Sequence, residues 1–176
     1  MAALKGGDKL TTRLKQIAAN LATASVVEVG FMEGSTEPDG TSTPMVAALN
    51  EFGTKTAPPR PFFRTMIKKE NASWPGKIGA ALKANDYRAS IALDLVGQNI
   101  QEALQQSIAD LMSPALSPIT VMLRGMRSHD QGLVVTGKTV GEAARRVAEG
   151  KTNYGASTKP LVDSGTMLRS PTHLVK

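Results

Sequence analysis

Two stretches of the chain carry residue types at spacings that chemistry uses. Gly132-Leu-Val-Val-Thr-Gly137-Lys138-Thr139 matches the phosphate-loop pattern G-x-x-x-x-G-K-[ST]. There, backbone amides and a lysine surround phosphates and the last hydroxyl meets magnesium. Leu161-Val162-Asp163-Ser164-Gly165-Thr166 matches the hydrophobic–hydrophobic–Asp–Ser/Thr–Gly pattern of aspartic proteases, in which two carboxylates share a proton. The surroundings argue against both. A phosphate loop follows a buried parallel strand, but Arg124 to Gln131 reads RGMRSHDQ, and only 37 residues follow Thr139. No apolar strand ending in Asp supplies a second magnesium ligand. Thirteen residues follow Asp163, too few for a flap and a β-barrel. Asp163 or Ser164 reads better as the cap of a short helix, 166–170. His129 and His173 form no catalytic constellation in the sequence. There is no cysteine, which removes disulfides, thiolate catalysis and Cys-based metal centres. The expectation is a chain that is not an enzyme, with no catalytic, cofactor-binding or metal-binding residue.

The elements that would position any site follow from periodicity. The 176 residues suit one domain, and the apolar share of 41% suits a packed core. Only 4% of residues are aromatic, so that core rests on aliphatic side chains and methionine. Residues 8–24 predict an amphipathic helix, with Leu10, Leu14, Ile17 and Leu21 on one stripe. Val26 to Phe31 predicts a strand. Residues 33–43 hold no apolar side chain and predict a long loop. Pro44 opens a short helix through Glu51, and Gly53 ends it. Residues 54–61 read as extended and rigid, since proline fixes φ and restricts its predecessor. Trp74–Pro75 breaks the following run, and a helix resumes to Ala84. The clearest period, 90–112, predicts a long helix with Ile91, Leu95, Leu104, Ile108 and Leu111 on its core side. A shorter helix follows over 120–127. From 128 to 158 the pattern weakens to a long loop with one short helical stretch at 140–149. The end predicts a turn, a short helix and a terminal strand.

Net charge is +6, unevenly placed. Residues 1–54 carry −2, 55–88 carry +6, 89–123 carry −3 and 124–176 carry +5. Such blocks suit a surface facing DNA or an acidic partner. They equally suit acidic and basic faces of neighbouring copies meeting in an oligomer. No stretch of about 18 apolar residues is present, and the first residues lack the apolar core of a signal peptide. The expectation is a soluble protein that stays where it is made, with no membrane contact.

Three segments, taken in order, resemble one family. Val26–Gly34 (VVEVGFMEG) is followed by Pro38–Ile67 (PDGTSTPMVAALNEFGTKTAPPRPFFRTMI), and Lys159–Ser170 (KPLVDSGTMLRS) lies near the end. Together they resemble the tail-completion or head–tail joining proteins of long-tailed bacteriophages. In that family a strand leads through a loop to a short helix ending in Glu-Phe-Gly-Thr, and a Pro-Arg-Pro-Phe run follows. Here these are Glu51, Phe52, Gly53 and Thr54, then Pro59, Arg60, Pro61 and Phe62. The resemblance covers roughly residues 26–176.

It implies an α+β fold: a small mixed or antiparallel sheet packed against an N-terminal helix and a long central helix, with extended arms or loops for ring assembly. It implies a single head–tail joining domain over 1–176, with 33–43 and 128–158 as long loops. It implies a structural virion protein that forms a ring, commonly a hexamer, at the neck or top of the tail, after assembly in the host cytoplasm. Its partners would be copies of itself, the tail tube protein and neck or portal-associated connector proteins. Non-specific contact with DNA in the lumen would be a further partner. The implied interface residues are Glu51, Phe52, Gly53, Pro59, Arg60, Pro61, Phe62, Phe63, Asp163, Ser164 and Gly165. Within them, Phe62 and Phe63 would anchor this segment either to its own core or as a rigid arm on a neighbour. Glu51 would pair with Arg60 or Arg64 within the chain or across subunits, the inter-subunit pair being the expectation. The alternative is a basic nucleic-acid-binding protein outside the virion.

Overall fold

The computed structural model describes residues 7–151 and 155–176. In chain order the elements are α1 (Gly7–Leu21), β1 (Val27–Phe31), α2 (Thr43–Phe52), α3 (Phe62–Glu70), a 3-10 turn (Asn71–Ser73), α4 (Trp74–Ala84), α5 (Ala89–Asp110), α6 (Pro118–His129), α7 (Gly137–Ala148), α8 (Thr166–Arg169) and β2 (Pro171–Val175). The fold is helical with a small two-stranded antiparallel sheet, in keeping with an α+β class.

α5 is the axis on which the other parts are laid. It buries Ala92, Val96, Leu104 and Ile108, while Leu95 of the expected stripe stays 40% exposed. The sheet joins distant parts of the chain: Val27 lies opposite Val175 and Phe31 opposite Pro171. It packs on the first half of α5. Gly97 makes that approach possible. A Cβ there would stand 2.7 Å from the His173 ring and 2.8 Å from Val27, closer than real Cβ contacts allow. α3 and α4 pack on α5 as well. The main core gathers Ala47, Phe62, Met66, Leu104, Ile108, Leu161 and Met167, with Phe31 and Trp74 at its edge. Phe62 meets Phe31 edge-on, ring centroids 6.1 Å apart, an arrangement that aromatic quadrupoles favour.

The expected break falls just before Trp74: α3 ends at Glu70, the 3-10 turn covers Asn71–Ser73, and α4 runs to Ala84, with Pro75 in its first turn, where a missing N–H costs nothing. Two expectations change. Residues 128–158 are not one long loop, because α7 occupies Gly137–Ala148. Thr136 and Thr139 close a reciprocal capping box at its start. Ala143 is fully buried against Met122 and Met126 of α6, so α6 and α7 form a second, smaller core. The second change concerns α1, which buries none of its residues. It is not a layer over the sheet. It is held at the start of α5 by polar contacts: Arg13 pairs with Asp86 at 2.8 Å, Asn20 donates to the Asp86 carbonyl at 2.7 Å, and Thr23 accepts from the Ser90 amide at 3.1 Å.

α7 also carries a pH-dependent element. Glu142 accepts from Arg145 and Arg146, and these hydrogen bonds pull its carboxyl from the ordinary 4.5 to about 2. A depressed folded-state value favours the charged form. The contribution is therefore present above about pH 4.5 and lost as pH falls towards 2. Protection of the α7 amides, taken relative to their intrinsic exchange, should fall modestly across that window, and Glu142→Gln should reduce the acid-dependent part of the change.

Candidate functional site

The Glu51–Phe63 segment folds back on the end of α2. Gly53 follows the last helical residue with φ 78° and ψ 177°, a region almost confined to glycine. Its missing side chain also leaves room: a Cβ would stand 2.8 Å from the Pro59 nitrogen and 3.0 Å from the Ala57 carbonyl. Thr54 then organises the turn. Its hydroxyl accepts from the amides of Thr56 and Ala57, and its own amide donates to the Ala57 carbonyl. The return leg is pinned where the Arg60 amide donates to the Asn50 carbonyl at 2.7 Å. Gly53→Ala is expected to cost about 2 kcal/mol through backbone strain and crowding, read as a lower urea midpoint at unchanged slope.

Glu51 closes this unit. The residue before α3 is Pro61, which caps nothing with its side chain. The first amides of a helix need acceptors, and here the carboxylate arrives from the neighbouring helix. Glu51 Oε2 accepts from the Phe63 amide at 2.9 Å. Its Oε1 accepts from the Arg64 amide at 3.2 Å and from Arg64 Nε at 2.7 Å. Arg64 also donates to the Glu51 carbonyl at 2.9 Å. Glu51 is 5% exposed. The negative charge lies at the positive end of α3, where the helix dipole favours it.

The structure thus brings Glu51, Phe52, Gly53, Pro59, Arg60, Pro61, Phe62 and Phe63 together, and for Glu51 and Phe62 it takes the intramolecular alternative. The Glu51 pair is made to Arg64 within the chain, not across subunits. Phe62 is no arm for a neighbour: it is 1% exposed in its own core. Phe63 packs against that core. Arg60 is also buried, and its Nε donates to the Pro114 carbonyl at 3.3 Å. A Pro-Arg-Pro-Phe run has little local period, so the sequence does not tell an inward anchor from an outward one.

Phe52 and Pro59 are the exposed ones, and Phe52 is 69% exposed. The Arg64 guanidinium lies 5.3 Å above its ring, in range for a cation–π contact. Beside it opens an apolar hollow of about 270 Å³, lined by Phe31, Ala47, Ala48, Phe62 and Phe63. Met45 and Leu49 on the same helix are 52% and 47% exposed. α2 therefore offers Met45, Leu49 and Phe52, at i, i+4 and i+7, with no covering element.

Asp163, Ser164 and Gly165 lie around the same core, since Leu161 and Met167 belong to it. Asp163 pairs with Arg127 and lies 3.6 Å from Arg124 Nε. Its recorded partners are two arginines rather than a second carboxylate, unlike a protease dyad. Ser164 Oγ accepts from the Thr166 amide at 3.1 Å and donates to Glu37 at 3.1 Å. Of the two caps expected for α8, Ser164 supplies the hydrogen bond; Gly165 is the residue next to the helix. Arg124 was not anticipated. Its guanidinium donates to the carbonyls of Ser157, Lys159, Pro160 and Val162. Burial pushes its pKa down, and Asp163 opposes that shift. The one sequence signal was an arginine directly after the largely apolar run Ile119–Leu123.

The phosphate-loop match is a helix start. α6, not a strand, precedes it, and Thr139 serves the α7 capping box. His173 does find partners far off in sequence: Gln101 at 2.8 Å and Asp94 at 3.0 Å, both on α5. They fix β2 to the helix. Among the described residues, no group of three or more His, Cys, Asp or Glu could hold a metal ion, and no helix is long and apolar enough to cross a membrane.

Comparison of the chain with protein-family models, with curated proteins and with solved structures gave no match.

Proposed function

We propose that this chain is a structural subunit of the head–tail junction of a long-tailed bacteriophage, acting by assembly and not by chemistry. It would form a ring that terminates the tail tube or joins it to the portal and neck proteins. The observation that carries this is the Glu51–Phe62 signature. Its residues build one rigid unit whose exposed aromatic side chain, Phe52, borders an apolar hollow, a surface suited to contact. A ring needs two unlike faces on each subunit that close on one another. Partners would be further copies of the chain, the tail tube protein and connector proteins.

A second reading has one observation in its favour. The chain from 55 to 88 is strongly basic, and Lys68, Lys69 and Lys83 are exposed on α3 and α4. Such residues suit DNA passing through a ring, and they also suit a nucleic-acid-binding protein outside any particle. Salt-sensitive affinity for duplex DNA by the isolated subunit would favour the latter.

The test is mass spectrometry of purified particles. The proposal expects peptides of this chain in intact virions at a low copy number typical of one ring. Absence from particles, with the chain present in the infected-cell lysate, would overturn it.

A further inference from the structure

α1 turns most of its apolar stripe away from the body. Arg13 and Asn20 tether it to Asp86, and Ile17 is half-buried. The rest of the stripe is left in solvent, with Leu10 61%, Leu14 56% and Leu21 42% exposed. Scattered exposed leucines need no explanation, but a continuous helical stripe of them does. α2 has the complementary problem, in Met45, Leu49, Phe52 and the hollow beside Phe52. Each face is exposed in the same subunit, so neither covers the other.

The two faces lie towards opposite ends of α5. α1 is tied down at Ser90, whereas the α2–α3 unit is tied down where Ser107 donates to the Phe62 carbonyl. Those anchor points are about 25 Å apart along the helix. Charge also differs between the faces. The first half of α1 carries Lys9, Arg13 and Lys15 against Asp8. The loop folded onto the start of α2 carries Glu33, Glu37 and Asp39, and is fixed there by Thr43 donating to the Ser35 carbonyl. The far end of α2 meets Arg64 and the basic α3, while residues 16–21 of α1 hold no charge.

We infer that α1 of one subunit docks on the α2 face of a second copy of this chain, the two helices running parallel. In that orientation the exposed Lys9 and Lys15 approach the exposed Glu33 and Asp39. Arg13 and Glu37 are held within their own subunit by Asp86 and Ser164. The neutral end of α1, with Leu21, approaches Phe52 and its hollow. The antiparallel alternative would set the basic half of α1 against Arg64. The contact is heterologous, so it propagates from copy to copy and closes into a ring when the rotation allows. It supplies the ring contact that the proposed function requires, but its test reads subunit contact in the purified protein, independent of any role in particles.

The absence of cysteine makes the test clean. Single variants Leu10→Cys and Met45→Cys, mixed and treated with a short bismaleimide, should form a mixed cross-linked dimer. Leu10→Cys with Phe52→Cys should do so at several-fold lower yield. Leu14→Glu and Leu49→Glu change exposed side chains, so each variant should keep the parent's circular dichroism and melting point while losing self-association in sedimentation. Mixed together they should give dimers that grow no further, because one intact face of each kind remains. Three results would overturn the inference: dimers in which Leu10→Cys cross-links only to itself, self-association unchanged by either glutamate, or no mixed cross-link at any attainable concentration. The last would assign the faces to a different protein.

Discussion

Phe62→Ala is expected to lower the unfolding free energy by about 4 kcal/mol, the ordinary cost of emptying a large aromatic site in a packed core. Phe62 is 1% exposed and touches the two halves of the main core at once. It faces Phe31 of β1 edge-on and packs with Leu104 and Ile108 of α5. Little can collapse into the gap, because α5 is held by the sheet on one side and by α4 on another. A domain is stable by about 5–15 kcal/mol in all, so the loss should appear as a large drop in urea midpoint. A change below about 1 kcal/mol would mean that Phe62 points outward, as an anchor on a neighbour would.

Glu51→Ala is expected to cost about 3 kcal/mol, since it strips acceptors from the first amides of α3 and leaves them short of partners in a nearly closed site. Burial of this carboxylate without Arg64 and the two amides would itself be costly. Their presence makes it a cap. Glu51→Gln keeps one carbonyl oxygen and should cost about half as much. Because the pair to Arg64 closes within the chain, both variants act on folding first. A Glu51→Ala protein with parental stability that failed only in subunit contact would restore an inter-subunit role.

Much of the architecture is legible in the sequence. The long period over 90–112, the β-branched strand before Phe31 and the polar loop at 33–43 each have a local cause, and the elements appear within a residue or three of those bounds. α7 was only half legible. Its few apolar residues are interrupted by glycine, so its helicity depends on the capping threonines and on Ala143 meeting α6. The orientation of α1 was not legible. Its leucine stripe is the ordinary signal of a core-facing helix, and only the tertiary tether at Asp86 turns that stripe to solvent. The same limit applies at the signature. Residue types announced a special turn at Gly53, but whether Glu51, Arg60 and Phe62 face in or out depends on α3, α5 and Pro114, which lie elsewhere in the chain. His173 and Arg124 show it again, since their partners are carboxylate, amide and carbonyl groups brought in by folding.

The central claim is that this chain works at the junction between a filled head and a tail. Electron microscopy of particles assembled without it tests that most directly. The account predicts separate DNA-filled heads and separate tails, overlong tails marking a terminator and tails of normal length a joiner. Joined, infectious particles assembled in its absence would contradict it.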